Sequence, residues 1–246
     1  SAEAEAAARF LMLHANVLLK PQDGKPVTVP TQDMVLGLYY LTLDKENEKG
    51  SGKVFSSFSE ATMAYDQGEV GIHADITVQI TREVNGQKLK RLVTSTMGRF
   101  IFNEIIPQNL GYVDRTVEGH ELDLEIDFLV NKKKLGEIIE RCIRENGISE
   151  TAIVLDKVKD LGFHSSTQSG ISISVFDMIV PGVKQDYLDQ ADKKIEYIAK
   201  QHQRGLLNEE GRAQASIRIW SKTTDEITEA LKESMDKYNT IAMMSQ

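Results

Sequence analysis

Residues 20–42, KPQDGKPVTVPTQDMVLGLYYLT, place three prolines and an Asp-Gly turn directly before a short apolar helix pattern. Pro21, Pro26 and Pro30 each remove a backbone donor and fix φ, so residues 16–31 are expected to run as extended, turning backbone. From Met34 through Leu36, Leu38 and Tyr39 the spacing turns helical. Gln32 and Asp33 set an amide and a carboxylate at the N-terminal end, where the helix dipole favours them. On residues alone, this is a surface loop feeding one amphipathic helix.

A chain of 246 residues with 41% hydrophobic content buries a real core and suits one or two domains. Its formal net charge of -8 opposes autonomous nucleic-acid binding, which depends on phosphate neutralisation by Lys and Arg. The single cysteine, Cys142, forms no internal disulfide and supplies no Cys-rich zinc site. Its helical setting reads as a small buried hydrophobe. No run approaches the roughly 18 apolar residues of a membrane span. The acidic start AEAEAAAR is the opposite of a signal-peptide start. The expectation is a cytoplasmic chain with no membrane partner.

Outward from the proline segment, residues 2–15 form a strong helix pattern whose Phe10, Leu11 and Leu13 need a partner surface. Residues 59–66 read as a short helix capped by Ser59 and closed by Gly68. Ile72, Ala74, Ile76, Val78 and Ile80 then alternate, answered across Asn85-Gly86 by Leu89, Leu92 and Thr94, which is a β-hairpin pattern. Helical spacing returns at residues 97–106 and ends at Pro107, while residues 108–127 carry no assignable pattern. Two further helices are expected, residues 132–145 closed by Asn146-Gly147 and residues 149–161 closed by Gly162. Residues 165–174, rich in Ser, Thr and Gly, read as loop or short extended chain.

The final third has the clearest periodicity. Leu188, Ala191, Ile195, Ile198 and His202 alternate spacings of three and four, as do Ala213, Ile217, Trp220, Thr224, Ile227 and Leu231. That predicts a heptad seam on two long helices, joined through Arg204, Gly205 and the N-cap Asn208 into an antiparallel coiled-coil hairpin at residues 184–238. The fold class is therefore α+β: mostly helical, with a small β-hairpin or sheet module and a C-terminal coiled-coil hairpin. Domains are expected at residues 1–130 and 131–246.

No motif carries catalysis by itself. The five histidines are scattered, and no Gly-rich phosphate loop follows a strand. Asp189, Asp192 and Glu196 share a helix face with Lys193, Lys194 and Lys200, which reads as a solvated face and not a metal site. His164, Ser165 and Ser166 lack an oriented acid, so a hydrolase is disfavoured.

The exact residues nevertheless carry a resemblance. Ala2-Glu3-Ala4-Glu5-Ala6 with Arg9 and Leu11-Met12-Leu13, Gly24-Lys25-Pro26, Val29-Pro30-Thr31-Gln32-Asp33 and Leu36-Gly37-Leu38-Tyr39-Tyr40-Leu41-Thr42 stand in a family order. So do Gly98-Arg99, Phe102-Asn103-Glu104-Ile105, Gly162-Phe163, Ser169-Gly170-Ile171-Ser172-Ile173-Ser174, Asp177-Met178 and Ile219-Trp220-Ser221. Together they resemble the largest, beta-prime subunit of bacterial DNA-directed RNA polymerase, over essentially the whole chain.

The resemblance implies a nucleotidyltransferase whose two Mg²⁺ ions sit on a triple-aspartate loop immediately before this segment. The chain is expected to begin after that loop and to stop short of the bridge helix. No cofactor is expected here, so the fragment alone should be inactive; Mg²⁺ and a structural Zn²⁺ belong to other parts of the polymerase. The implied modules are pore (1–130) and funnel (131–246) of the secondary channel, where nucleotides enter and backtracked RNA leaves, with the C-terminal hairpin as a rim that docks channel factors.

The implied partners are the beta, alpha and omega subunits and transcript-cleavage or other channel factors, with DNA and RNA only in the assembled enzyme. Localisation would be cytoplasmic, at the nucleoid. Residue by residue, Gln32 matches a pore residue on the substrate path, with a plain helix-start hydrogen bond as the alternative. Lys132 and Lys133 match a basic pair facing nucleic acid, with an exposed helix start as the alternative. Arg204, Asn208, Glu209 and Glu210 at the hairpin tip are factor-docking candidates. Gln214 and Arg218 stand where relatives that bind an alarmone present Asn and Asp, which puts that site in doubt. A standalone coiled-coil interaction module is the competing function.

Overall fold

The computed structural model describes residues 1–13, 17–84, 87–117, 119–236 and 238–245. The chain forms two compact units, Ser1–Gly170 and Ile171–Gln246. The boundary expected near residue 131 falls at Gly170 instead, because the helix that begins at Lys132 packs into the first unit's core.

The first unit opens with α1 (Ala2–Leu11), capped by Ser1 Oγ, which accepts from the Ala4 amide. It ends at Leu11 with Met12 as its C-cap, earlier than the residue 15 expected, and residues 14–16 lie outside the described residues. None of its residues is buried. The proline segment then turns on itself, with Leu19 bridging Pro26. It feeds α2 (Asp33–Thr42), which buries Leu38, Tyr39 and Leu41.

A small sheet follows. Strand β1 (Val54–Phe55) lies parallel to β2 (Asp75–Val84), which pairs antiparallel with β3 (Gln87–Thr96) in the order β1-β2-β3. The hairpin matches expectation, with Val84 opposite Gln87; the Asn85-Gly86 turn lies outside the described residues. The third strand carried no sequence signal, since two residues are too few for a period. One phase needs correcting. Val93, opposite Val78, faces the core, whereas Leu92 is 55% exposed and Thr94 is exposed. On a strand a one-residue slip exchanges the two faces.

Helix α3 (Phe58–Asp66) starts one residue earlier than expected, because Ser57 and not Ser59 accepts from the Glu60 amide. Helix α4 (Met97–Ile105) follows β3 directly, with Thr96 as its cap. Ile76, Val78, Val93, Phe55, Met97 and Phe100 form one apolar cluster under the sheet. A second cluster joins Leu38 and Leu41 of α2, Phe102 of α4, and Leu135, Ile138, Cys142 and Val158 of α5 (Lys132–Ser169).

Helix α5 breaks at Gly147, whose φ of 79° suits glycine, as the Asn146-Gly147 signal predicts. Its second half does not stop at Gly162. There a Cβ would lie 2.8 Å from the Met34 carbonyl oxygen, so the glycine serves a close helix crossing and not a helix end. The helix runs on to Gly170, which takes the left-handed cap, so residues 165–169 are helical and not loop.

The second unit holds a 3-10 turn (Val175–Asp177), α6 (Lys184–Gln203), α7 (Glu209–Ser234) and α8 (Thr240–Ser245). Asn239 donates to the Asp177 carbonyl at 3.0 Å, tying the turn to the start of α8. Helices α6 and α7 form the expected hairpin around Gly205, φ 75°. Leu188, Ile195 and Ile198 are half-buried, Ala191 is buried, and Ile227 and Leu231 are half-buried on α7. Ile217 and Trp220 are not seam residues: they are 68% and 40% exposed. The covered stripe of α7 runs through Ala215, Ile219 and Thr223, of which Thr223 is buried.

Candidate functional site

Three groups of candidate residues sit on separate supports. Gln32 immediately precedes α2 with φ 53° and ψ -124°, a conformation uncommon outside glycine. Its side chain makes no capping hydrogen bond to the helix, so the structure does not use it as a helix-start bond. It is exposed, on a helix whose position is fixed from behind. Gly37 meets α5 so closely that an added Cβ would lie 1.9 Å from the Gly162 carbonyl oxygen. At the far end of α2, Thr42 Oγ1 donates to the Leu38 carbonyl and accepts from the Val130 amide, while Arg99 donates to the Thr42 carbonyl at 3.1 Å.

That second anchor also locates the basic pair. Lys132 and Lys133 are exposed at the first turn of α5, which Asn131 caps by accepting from the Lys134 amide at 2.9 Å. Lys134 is committed to Glu137 at 2.9 Å and lies over the Phe128 ring. Because Val130 is bound to Thr42, the pair sits beside the C-terminal end of α2, roughly 15 Å from Gln32 at 1.5 Å rise per residue. The structure therefore places Gln32 and the lysines at opposite ends of one helix and does not bring them together.

At the hairpin tip, Arg204, Asn208, Glu209 and Glu210 do cluster, around one turn. They differ in duty. Asn208 caps α7 by accepting from the Gly211 amide at 2.8 Å, and Glu209 accepts from Arg212 and lies 3.3 Å from His202 Nε2. The Arg212 contact holds the Glu209 carboxyl below its usual pKa. Arg204 and Glu210 are exposed without such duties among the described residues. His202 Nδ1 meets the Leu207 carbonyl at 2.9 Å, closing the turn.

Sequence reasoning missed a polar network in residues 108–127. Asn103 donates to the Ile126 carbonyl and accepts from the Ile126 amide. Glu125, 2% exposed, accepts from the Tyr112 amide at 2.9 Å and from Arg115 at 3.2 Å. Alternating Leu122, Leu124, Ile126 and Phe128 was the available signal, and buried Glu125 sits out of phase with it. Among the described residues, no group of three His, Cys, Asp or Glu side chains converges as a metal site. None of the described helices is long and apolar enough to cross a membrane.

Residues 17–178 match the family described as RNA polymerase Rpb1, domain 3. Over its entire length the chain is 53% identical to DNA-directed RNA polymerase subunit beta' of Acetivibrio thermocellus, 54% to that of Thermoanaerobacter pseudethanolicus and 50% to that of Clostridium tetani. It spans 21–22% of the length of these relatives. The family match crosses the proline segment, α2, the sheet and both halves of α5, and on that ground the chain belongs to the RNA polymerase Rpb1 domain 3 family.

Proposed function

We propose that the chain is a section of a bacterial DNA-directed RNA polymerase beta-prime subunit, forming the wall of its secondary channel and a rim on which channel factors dock. The observation that carries this is identity of 50% or more running through both units to proteins named as that subunit. A free-standing interaction module would not call for such identity outside the hairpin. The whole enzyme's RNA synthesis, its beta, alpha and omega partners and its cytoplasmic, nucleoid location follow from this reading.

Within it, Gln32 offers an uncharged amide to a passing nucleoside triphosphate. Lys132 and Lys133, exposed and in no ion pair among the described residues, attract phosphate through their charge. The tip presents Arg204 and Glu210 as a mixed-charge contact for a protein partner, with Asn208 and Glu209 holding the turn in shape.

The test is charge reversal at the two free tip residues. Arg204→Glu and Glu210→Lys should alter the chain's folding stability by only about 0.5 kcal/mol, yet weaken binding of a transcript-cleavage factor to assembled polymerase. Normal melting with unchanged factor affinity would remove the docking role.

A further inference from the structure

The first unit contains a cleft of about 480 Å³ between the residues leading into α3, the middle of β2, and α4. That volume lies in the range of small-molecule sites. Its apolar part is built by Ile80 and by the rings of Phe58 and Phe100, whose centroids are 6.3 Å apart. Ser57, Gln79 and Arg82 supply polar groups.

Arg82 is the unusual member. It is half-buried, and among the described residues it has no hydrogen-bond or ion-pair partner. The nearby carboxylate of Glu125 is already committed to the Tyr112 amide and Arg115. Arg115 in turn donates to the carbonyls of Gln108, Glu121 and Asp123. The carboxylate nearest to Arg82 is therefore already taken by another guanidinium, and Arg82 keeps its charge unpaired in a partly desolvated place. Burial and Arg115 both push the Arg82 guanidinium below its ordinary pKa, with Glu125 opposing. Glu104, exposed, also lines the cleft and forms no hydrogen bond or ion pair with Arg82 among the described residues.

We propose that this cleft binds a small monocarboxylate with an apolar body, its carboxylate paired with Arg82 and its body against Phe58 and Phe100. The planar guanidinium fork matches a carboxylate with two parallel hydrogen bonds. Among the residues lining the cleft Arg82 is the single cation and Glu104 the single anion, so one carboxylate can pair with Arg82 whereas Glu104 repels a phosphate dianion. The site shares no residue with Gln32, the lysine pair or the hairpin tip, so its test does not depend on the polymerase reading.

The probe is 3-phenylpropanoate, titrated into the 246-residue chain with calorimetry and amide chemical shifts as readouts. The expected result is saturable binding that shifts amides of β2 and α4. Arg82→Gln should weaken it at least about tenfold, the loss of a charge-assisted hydrogen bond, with Arg82→Lys intermediate and Glu104→Gln tighter than the parent. The neutral 3-phenylpropanamide should bind the parent as poorly as the acid binds Arg82→Gln. Thermal melting checks each variant, and if Arg82→Gln melts early, Arg82→Lys and the acid–amide pair decide. Equal binding of acid and amide, or weaker binding by Glu104→Gln, would overturn the proposal.

Discussion

The two units solve the same problem, helix against helix, in opposite ways. In the first, α2 and α5 cross with their backbones nearly touching, Gly37 against Gly162, inside a core where Leu38, Phe102, Leu135 and Ile138 are fully buried. In the second, α6 and α7 share one narrow seam, and each contributes a single buried residue among those described, Ala191 and Thr223. A pair of helices has two apolar stripes on α7 to choose from and covers only one. The other, with Ile217 and Trp220, is left facing outward.

That contrast ranks the effects of mutation. The largest falls on Gly37→Leu, which drives a side chain into the Gly162 carbonyl and should cost more than about 3 kcal/mol; chemical denaturation measures it. A loss under 1 kcal/mol would mean that the helices separate readily and that the crossing does not hold α2. Next, Phe102→Ala empties part of the core and should cost about 3–5 kcal/mol.

A pH effect of intermediate size belongs to the first unit. His73 is buried, its Nδ1 is 3.0 Å from the Leu43 carbonyl, its ring meets Tyr40 edge-on, and burial lowers its pKa. The bond to the Leu43 carbonyl, Glu48 and Asp44 oppose that shift, and Lys45 adds to it. The unfolded chain therefore takes up the proton first. His73 stabilisation is complete above the unfolded value of about 6.5 and is lost as pH falls from there toward the depressed folded value. Melting between pH 5 and 7.5 should slope less in His73→Gln than in the parent, and equal slopes would reject the assignment.

The smallest effect belongs to the hairpin. Trp220→Ala should cost only about 1 kcal/mol, because the ring is already 40% exposed. A loss of 3 kcal/mol or more would restore Trp220 to the seam and erase the difference between the units.

Much of this architecture was legible. The proline segment, the β-hairpin, the Gly147 break and the two long helices were visible because turn residues and periodicity act locally. What failed depended on distant partners. Gly162 reads as a helix end unless Met34 is known to lie against it, and Ser59 reads as a cap until Ser57 is seen to take the bond. Ile217 and Trp220 have the right spacing on the wrong stripe. Of the candidate site residues, the tip cluster was legible because one turn joins its members. The separation of Gln32 from Lys132 depends on the Thr42–Val130 bond, which no local pattern encodes.

The most direct test of the account replaces the matching segment of a bacterial beta-prime relative with these 246 residues. The hybrid is reconstituted with the other polymerase subunits and assayed for template-dependent RNA synthesis. The account predicts assembly and synthesis close to the parent enzyme's rate. A hybrid that assembles, with the graft melting cooperatively, yet makes no RNA would contradict it.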